Sequence, residues 1–182
     1  MGLLLFKPNK SVKGHSACFT FNSKDNAIFL QLVKQTGWTN DVGTFTGGQK
    51  LQVKFSIWEV GNMIDALKNN KEYKTYHDGI NQQLNISLSP YMKEGKQLGY
   101  GLKIYQTAGE SKTGFLLGLT FGEAVVVSKW LENALVHIFD AIYSADIQES
   151  KEYAAKKNIS VKQESQKVKE VIEENASDED IF

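Results

Sequence analysis

Polar and apolar residues alternate along Lys50-Leu-Gln-Val-Lys-Phe55, which predicts a half-buried strand with Leu51, Val53 and Phe55 on one face. The run leads straight into Ser56-Ile-Trp-Glu59, where Ser56 can cap a helix and Glu59 can reach back to it. Val60, Met63, Ile64 and Leu67 then recur at helical spacing, and Asn69-Asn70 marks the stop. Sixty-four residues later the pattern returns. Phe115-Leu-Leu-Gly-Leu119 reads as the strand and Thr120-Phe-Gly-Glu123 as the second capping box. Ala124, Val127, Leu131, Leu135 and Ile138 form the apolar stripe of a longer helix.

More strand-like segments precede each unit: 16–21 and 27–33 in the first half, 83–88 and 99–105 in the second. Short additional strands fit near Asp41–Phe45 and Tyr91–Lys96. The expected architecture is therefore α+β: antiparallel strands followed by a helix, twice, as a pseudo-symmetric βββ(β)α repeat. Two unrelated amphipathic strand–helix units would give the same pattern by chance. Phe19 and Phe21 are expected in the core, Cys18 as an inert strand thiol, and Trp58 and Trp130 against the sheet.

The 182 residues suit one compact domain with an appendage, or two very small domains, and 41% apolar content is enough for a core. No apolar run approaches a membrane span. The start, Met1 to Pro8, lacks a basic n-region and its apolar stretch stops after four residues, so it is not read as a signal sequence. A single cysteine excludes intrachain disulfides and fits a reducing, cytoplasmic setting. Net charge is zero, but it is divided: residues 1–170 carry +5 and residues 171–182 carry −5. All 21 basic residues are lysine. Absence of arginine disfavours bidentate base reading and suits sequence-indifferent phosphate contact. From about residue 144 the chain becomes rich in Lys, Glu and Gln, so a domain over 10–143 is expected, with 144–182 a flexible or marginally helical tether. That tether ends in Asp178-Glu179-Asp180-Ile181-Phe182, an acidic run finishing in two large apolar residues. Such a peptide suits recognition by a partner with a basic-rimmed apolar pocket.

Two tandem sheet-then-helix units with a lysine-bearing antiparallel surface resemble the Whirly and positive-cofactor-four (transcriptional coactivator) family of single-stranded DNA-binding proteins. The likeness is architectural and spans roughly residues 10–143; the Lys-Gly-Lys-Ala-Ala-Leu signature of plant Whirly proteins is absent. Separately, the terminal Asp178–Phe182 resembles the acidic tip with which bacterial and phage single-stranded DNA-binding proteins recruit replication and repair partners. Ile181 stands where the bacterial form usually has proline. Together the resemblances imply single-strand binding with little sequence specificity, in phage or bacterial replication or recombination, with self-association plausible.

Single-strand binding needs cationic surface and rings on which bases stack. Alternation turns Lys50 and Lys54 away from the strand core, and Lys103 and Tyr105 likewise oppose Leu102 and Ile104. Lys34, Trp38, Phe45, Tyr76, Tyr91 and Lys93 stand at strand ends or in loops. The lysines are the candidate phosphate contacts, and the rings the stacking partners. The competing expectation is that strand lysines are merely solvated and loop rings fold back on the body. Catalytic signals are thin: His15, His77 and His137 are scattered, and Gln49 stands where a phosphate loop needs its lysine. No enzyme, metal or cofactor is expected. The alternatives are an RNA-binding regulator, a protein–protein adaptor without nucleic-acid binding, and an OB-fold as rival architecture.

Overall fold

The computed structural model describes residues 2–22, 24–80 and 82–177, with side chains described up to residue 153 and at 156 and 157. The first half forms one antiparallel sheet in the order β1-β2-β3-β6, from β1 (Leu3–Lys7), β2 (His15–Asn22), β3 (Ala27–Lys34) and β6 (Lys50–Ser56). Between β3 and β6 the chain makes a small hairpin of β4 (Gly37–Thr39) and β5 (Val42–Thr44). Register sets the faces. Ala17 pairs with Leu32, Phe19 with Leu30, and Leu30 in turn with Val53, so one layer of apolar side chains lines the inner face. Phe19, Leu30, Leu32, Val53 and Phe55 are all buried there.

Helix α1 (Ile57–Lys68) follows directly, with the expected capping box at Ser56 and Glu59. A second sheet, in the order β10-β9-β8-β7, is built from β7 (Tyr73–Asp78), β8 (Gln83–Lys93), β9 (Lys96–Ala108) and β10 (Ser111–Leu119). Its inner face carries Leu84, Ile86, Leu88, Leu102, Ile104, Phe115 and Leu117, all buried. Helix α2 (Phe121–Ser177) completes the order. The Thr120–Glu123 box holds its start: the Thr120 N–H and hydroxyl donate to Glu123 Oε2 at 2.8 and 2.9 Å, and Glu123 N–H returns to Thr120 Oγ1 at 3.3 Å. The helices cover the inner faces. Trp130 packs on Phe19 and Phe21 of β2, and Tyr100 of β9 donates a hydrogen bond to the Leu67 carbonyl of α1.

Both capping glutamates do a second job. Glu59 Oε1 accepts from Thr75 Oγ1 at 3.0 Å and from His77 Nε2 at 2.7 Å, which ties α1 to β7. Glu123 is hydrogen-bonded and ion-paired to Lys7, which ties α2 to β1. Strands β1 and β7 are sheet edges with only one ladder neighbour each. Of the four edge strands in these sheets, β1 and β7 are the two shortest, and the capping carboxylates add a tie to each.

Three features depart from the sequence expectations. Strand β1 lies ahead of residue 10, because Leu3-Leu-Leu-Phe6 has no alternation to reveal it. Strand β7 falls where a loop cluster was expected. Trp58 is 79% exposed instead of packed on the sheet, since it sits in the first turn of α1 on the side away from Val60 and Met63. The observed architecture is α+β with antiparallel sheets and a C-terminal helix, each sheet being a four-strand meander that precedes one helix. Two compact units divide at Phe139/Asp140. The first holds both sheets, α1 and the start of α2. In the second, the backbone to Ser177 is helical where a flexible or marginally helical tether was expected. Asp178, Glu179, Asp180, Ile181 and Phe182 lie outside the described residues.

Candidate nucleic-acid interface

Each sheet turns one face to the helices and one outward. On the first sheet the outward residues include Phe6, Thr20, Phe29, Gln31, Lys50, Gln52 and Lys54. On the second sheet they include Lys74, Tyr76, Asn85, Ser87, Lys103, Tyr105, Lys112 and Leu116. Asp78, at the end of β7, is the one acid on these outward strand positions; the other described acids lie in turns, in helices or at Glu72 just before β7. Both outer faces are therefore cationic by placement, which composition with zero net charge conceals.

The two faces differ in what their rings already touch. On the first sheet, Lys54 holds its ammonium 5.9 Å from the centre of the Phe29 ring, and Phe45 packs on Phe6 with ring centres 6.0 Å apart. Those rings are occupied. On the second sheet Tyr76, Tyr91 and Tyr105 are 48%, 48% and 58% exposed, and none has a ring or cation partner among the described residues. Tyr76, Asn85, Tyr105 and Gly114 form one cross-strand row, with Lys74, Ser87, Lys103 and Leu116 in the next. Two strand spacings separate the two tyrosines of the first row, about 10 Å. Burial, then the nearby Asp78, raises the Tyr76 phenol above its ordinary range, so it stays neutral.

Beyond the lysine row the face is bare. Ser89, Gly101 and Gly118 share a row, and Tyr91 pairs with Gly99 in the one after it. A Cβ added at Gly118 would meet nothing within 4 Å, and one at Gly101 only the tip of Leu116 at 3.8 Å. Packing does not demand glycine at either position. Gly99 and Gly101 are buried and Gly118 is exposed, so between Lys103 and Tyr91 a ligand can approach the backbone closely at Gly118.

The expected site residues thus separate. Tyr76, Lys103 and Tyr105 come together on the outer face of the second sheet. Tyr91 shares that face at its far end, and Lys93 lies where the β8–β9 hairpin closes. Lys50 and Lys54 sit on the outer face of the first sheet. Phe45 is drawn onto Phe6, and Trp38 is half-buried in the β4–β5 hairpin. Lys34 points inward, its ammonium 4.9 Å from the centre of the Phe115 ring. Sequence reading missed Lys74, Asn85, Ser87 and Lys112. The alternation of Tyr73–Asp78 was a usable signal for Lys74; the others needed the register. No cluster of His, Cys, Asp and Glu suited to a metal ion occurs among the described residues, and no described helix is long and apolar enough to cross a membrane.

The fold is Whirly-like. The plant transcriptional regulator PBF-2 superposes with a TM-score of 0.60 at 12% identity, over 80% of this chain and 86% of its own. WHY3 from Arabidopsis thaliana gives 0.59 at 14%, over 80% and 92%. MRP1/MRP2 of Trypanosoma brucei gives 0.58 at 14%, over 75% and 84%, and a guide-RNA-binding protein complex bound to a guide RNA gives the same score and identity over 75% and 90%. No family model and no curated protein matches the sequence.

Proposed function

We propose that this chain binds single-stranded nucleic acid, DNA first, on the outer face of its second sheet and without reading base sequence. The observation that carries this is a single cationic face with three half-exposed, unpartnered tyrosine rings around the exposed Gly118. Tyr76, Tyr105 and Tyr91 stack on bases, which is sequence-tolerant because every base has a π-face. Lys74, Lys103 and Lys112 contact phosphates as point charges. Ser87 and Asn85, between them, donate to sugar or phosphate oxygens. A duplex conceals its base faces, so single strands bind better.

RNA is the second reading, favoured by the likeness to a guide-RNA-bound complex, because stacking alone does not separate the two polymers. The acidic Asp178–Phe182 tip adds a role in phage or bacterial replication or recombination, within the cytoplasm, where it recruits partner proteins. It also competes with DNA for the lysine-bearing face.

The test is a fluorescence-anisotropy titration of oligo-dT, its RNA counterpart and a duplex across salt, with and without residues 173–182. Expected are tight single-strand binding that weakens with salt, weak duplex binding, and tighter binding after tail removal. No affinity for either single strand at low salt overturns the proposal and leaves the adaptor reading. Stronger binding to the RNA transfers it to the second reading.

A further inference from the structure

Beside the stacking face lies a pocket of about 250 Å³, at the seam where β10 of the second sheet meets the β1–β2 loop of the first. Lys13, His15, Lys34, Gln35 and Gly114 are among its walls. Gln35 is scaffold. Its side-chain oxygen accepts from the Asn9 and Gly14 N–H groups at 2.9 and 3.1 Å, and its amide donates to the Asn9 and Gly37 carbonyls at 3.0 and 2.8 Å. Those four bonds fix one wall and leave Gln35 nothing to offer a ligand.

The other polar groups are uncommitted. His15 is 8% exposed, its ring 5.8 Å from that of Phe115, yet its Nε2 is buried without a hydrogen-bond partner. Burial and then the Lys34 charge push the imidazole below its ordinary range, against a hydrogen bond to the Leu116 backbone that raises it. The ring is accordingly neutral at pH 7. Nε2, buried and without a partner, can serve on a neutral ring as the acceptor for a ligand's N–H or O–H. Lys34, held on the same Phe115 ring, has no acidic partner among the described residues, and neither does Lys13. A fitting ligand must bring negative charge to two ammonium groups and an N–H or O–H donor to one imidazole. Chloride and sulfate meet the first need but bring no donor for the second.

Position supplies the rest. Gly114 pairs directly with Tyr105, and a Cβ there would lie 3.2 Å from the Tyr105 ring. The pocket mouth and the stacking row therefore meet across a residue with no side chain. We propose that this pocket seats one nucleotide of a strand lying on the second sheet: Lys13 and Lys34 hold its phosphate, and His15 Nε2 accepts a hydrogen bond from its sugar or base. The inference rests on the single-strand reading and adds to it a fixed register point, a place where one unit of an otherwise sliding strand is gripped.

Two measurements on the full chain test it. In the first, thymidine 5′-monophosphate is titrated into protein with ¹⁵N-labelled histidines. The His15 ring signals should move while those of His77 and His137 stay, and Lys34→Met should abolish the response. In the second, oligonucleotide affinity is measured across salt. Lys34→Met should lower the slope of log K against log salt by about 0.7, the loss of one phosphate contact to a single strand. His15→Phe should keep the slope but weaken binding roughly three- to tenfold, as one lost hydrogen bond does. Lys13→Ala repeats the slope test should His15→Phe fail to fold. Tight strand binding with a silent His15 and an unchanged Lys34→Met slope overturns the pocket and spares the interface. A His15 response without any strand affinity does the reverse.

Discussion

Replacing Glu59 by glutamine isolates the carboxylate that joins a helix start to an edge strand. Four donors converge on it: the Ser56 N–H and hydroxyl on Oε2, each at 2.9 Å, and Thr75 and His77 on Oε1 at 3.0 and 2.7 Å. Glutamine keeps the shape but only one acceptor oxygen, so two donors lose their partner and the charge assistance disappears. His77 can change tautomer and accept from the new amide, which leaves the equivalent of one charged hydrogen bond lost. At 19% side-chain exposure water compensates little, and the cost is about 2 kcal/mol. For a chain of this size that is a fall in Tm of roughly 4–8 °C. Ser56→Ala removes only the cap and should cost about 1 kcal/mol. The assay is thermal unfolding followed by far-ultraviolet circular dichroism at pH 7 and through the acid range.

The acid limb gives the sharper check. Burial acts to raise the Glu59 carboxyl, but hydrogen bonds from His77 and then Ser56 outweigh it and hold the group below its usual range. A depressed folded value means the unfolded chain binds the proton more readily. The contribution is therefore complete above the unfolded carboxyl value, about 4.5, and is lost as pH falls through the folded value. The gap between wild type and Glu59→Gln should close as pH falls below about 4. A gap that persists unchanged into acid, or a loss no larger than that of Ser56→Ala, refutes the argument that the carboxylate bridges α1 and β7.

Other predictions concern the interface. Tyr105→Ala and Tyr76→Ala should each weaken oligo-dT binding about 5- to 150-fold, one stacked base apiece, with the Tm nearly unchanged because both rings are half exposed. Lys103→Ala and Lys112→Ala should each reduce the salt slope by about 0.7, whereas Lys54→Ala, on the other sheet, should leave it alone; parallel isotherms across salt decide. Gly118→Val should leave stability within about 0.5 kcal/mol by denaturant melt, since the site is open, yet impair strand binding by obstructing the approach to its backbone.

Local pattern carried a good deal of this molecule. Both capping boxes, the alternation of Lys50–Phe55 and the helical stripe beyond Thr120 each depend on residues within a few positions of one another, so they are legible without a fold. Most strand segments of each half were readable for the same reason, apart from β1, β4 and β7; the short strand expected over Tyr91–Lys96 is instead the hairpin end that joins β8 to β9. Leu3–Phe6 shows no alternation, and β1 is tied down by Lys7 reaching Glu123 across 116 positions; Tyr73–Asp78 does alternate, and its tie from His77 to Glu59 spans only 18.

The interface was half legible. Parity alone turned Lys103 and Tyr105 outward, because successive strand residues alternate faces. It treated Lys50 and Lys54 the same way and had no means to rank the two faces. Only the tertiary structure showed that the rings of the first sheet are occupied, by Lys54 and by Phe45, while those of the second are free. Lys34 marks the limit most clearly. In sequence it is one more lysine at a strand end; in the fold its register with His15 and the approach of Phe115 from the other sheet turn it inward. Sequence by itself determined which residues could face out, since that is set by the backbone period of a strand. Which outward residues remain available was decided by packing between sheets, and packing is a property of the whole chain.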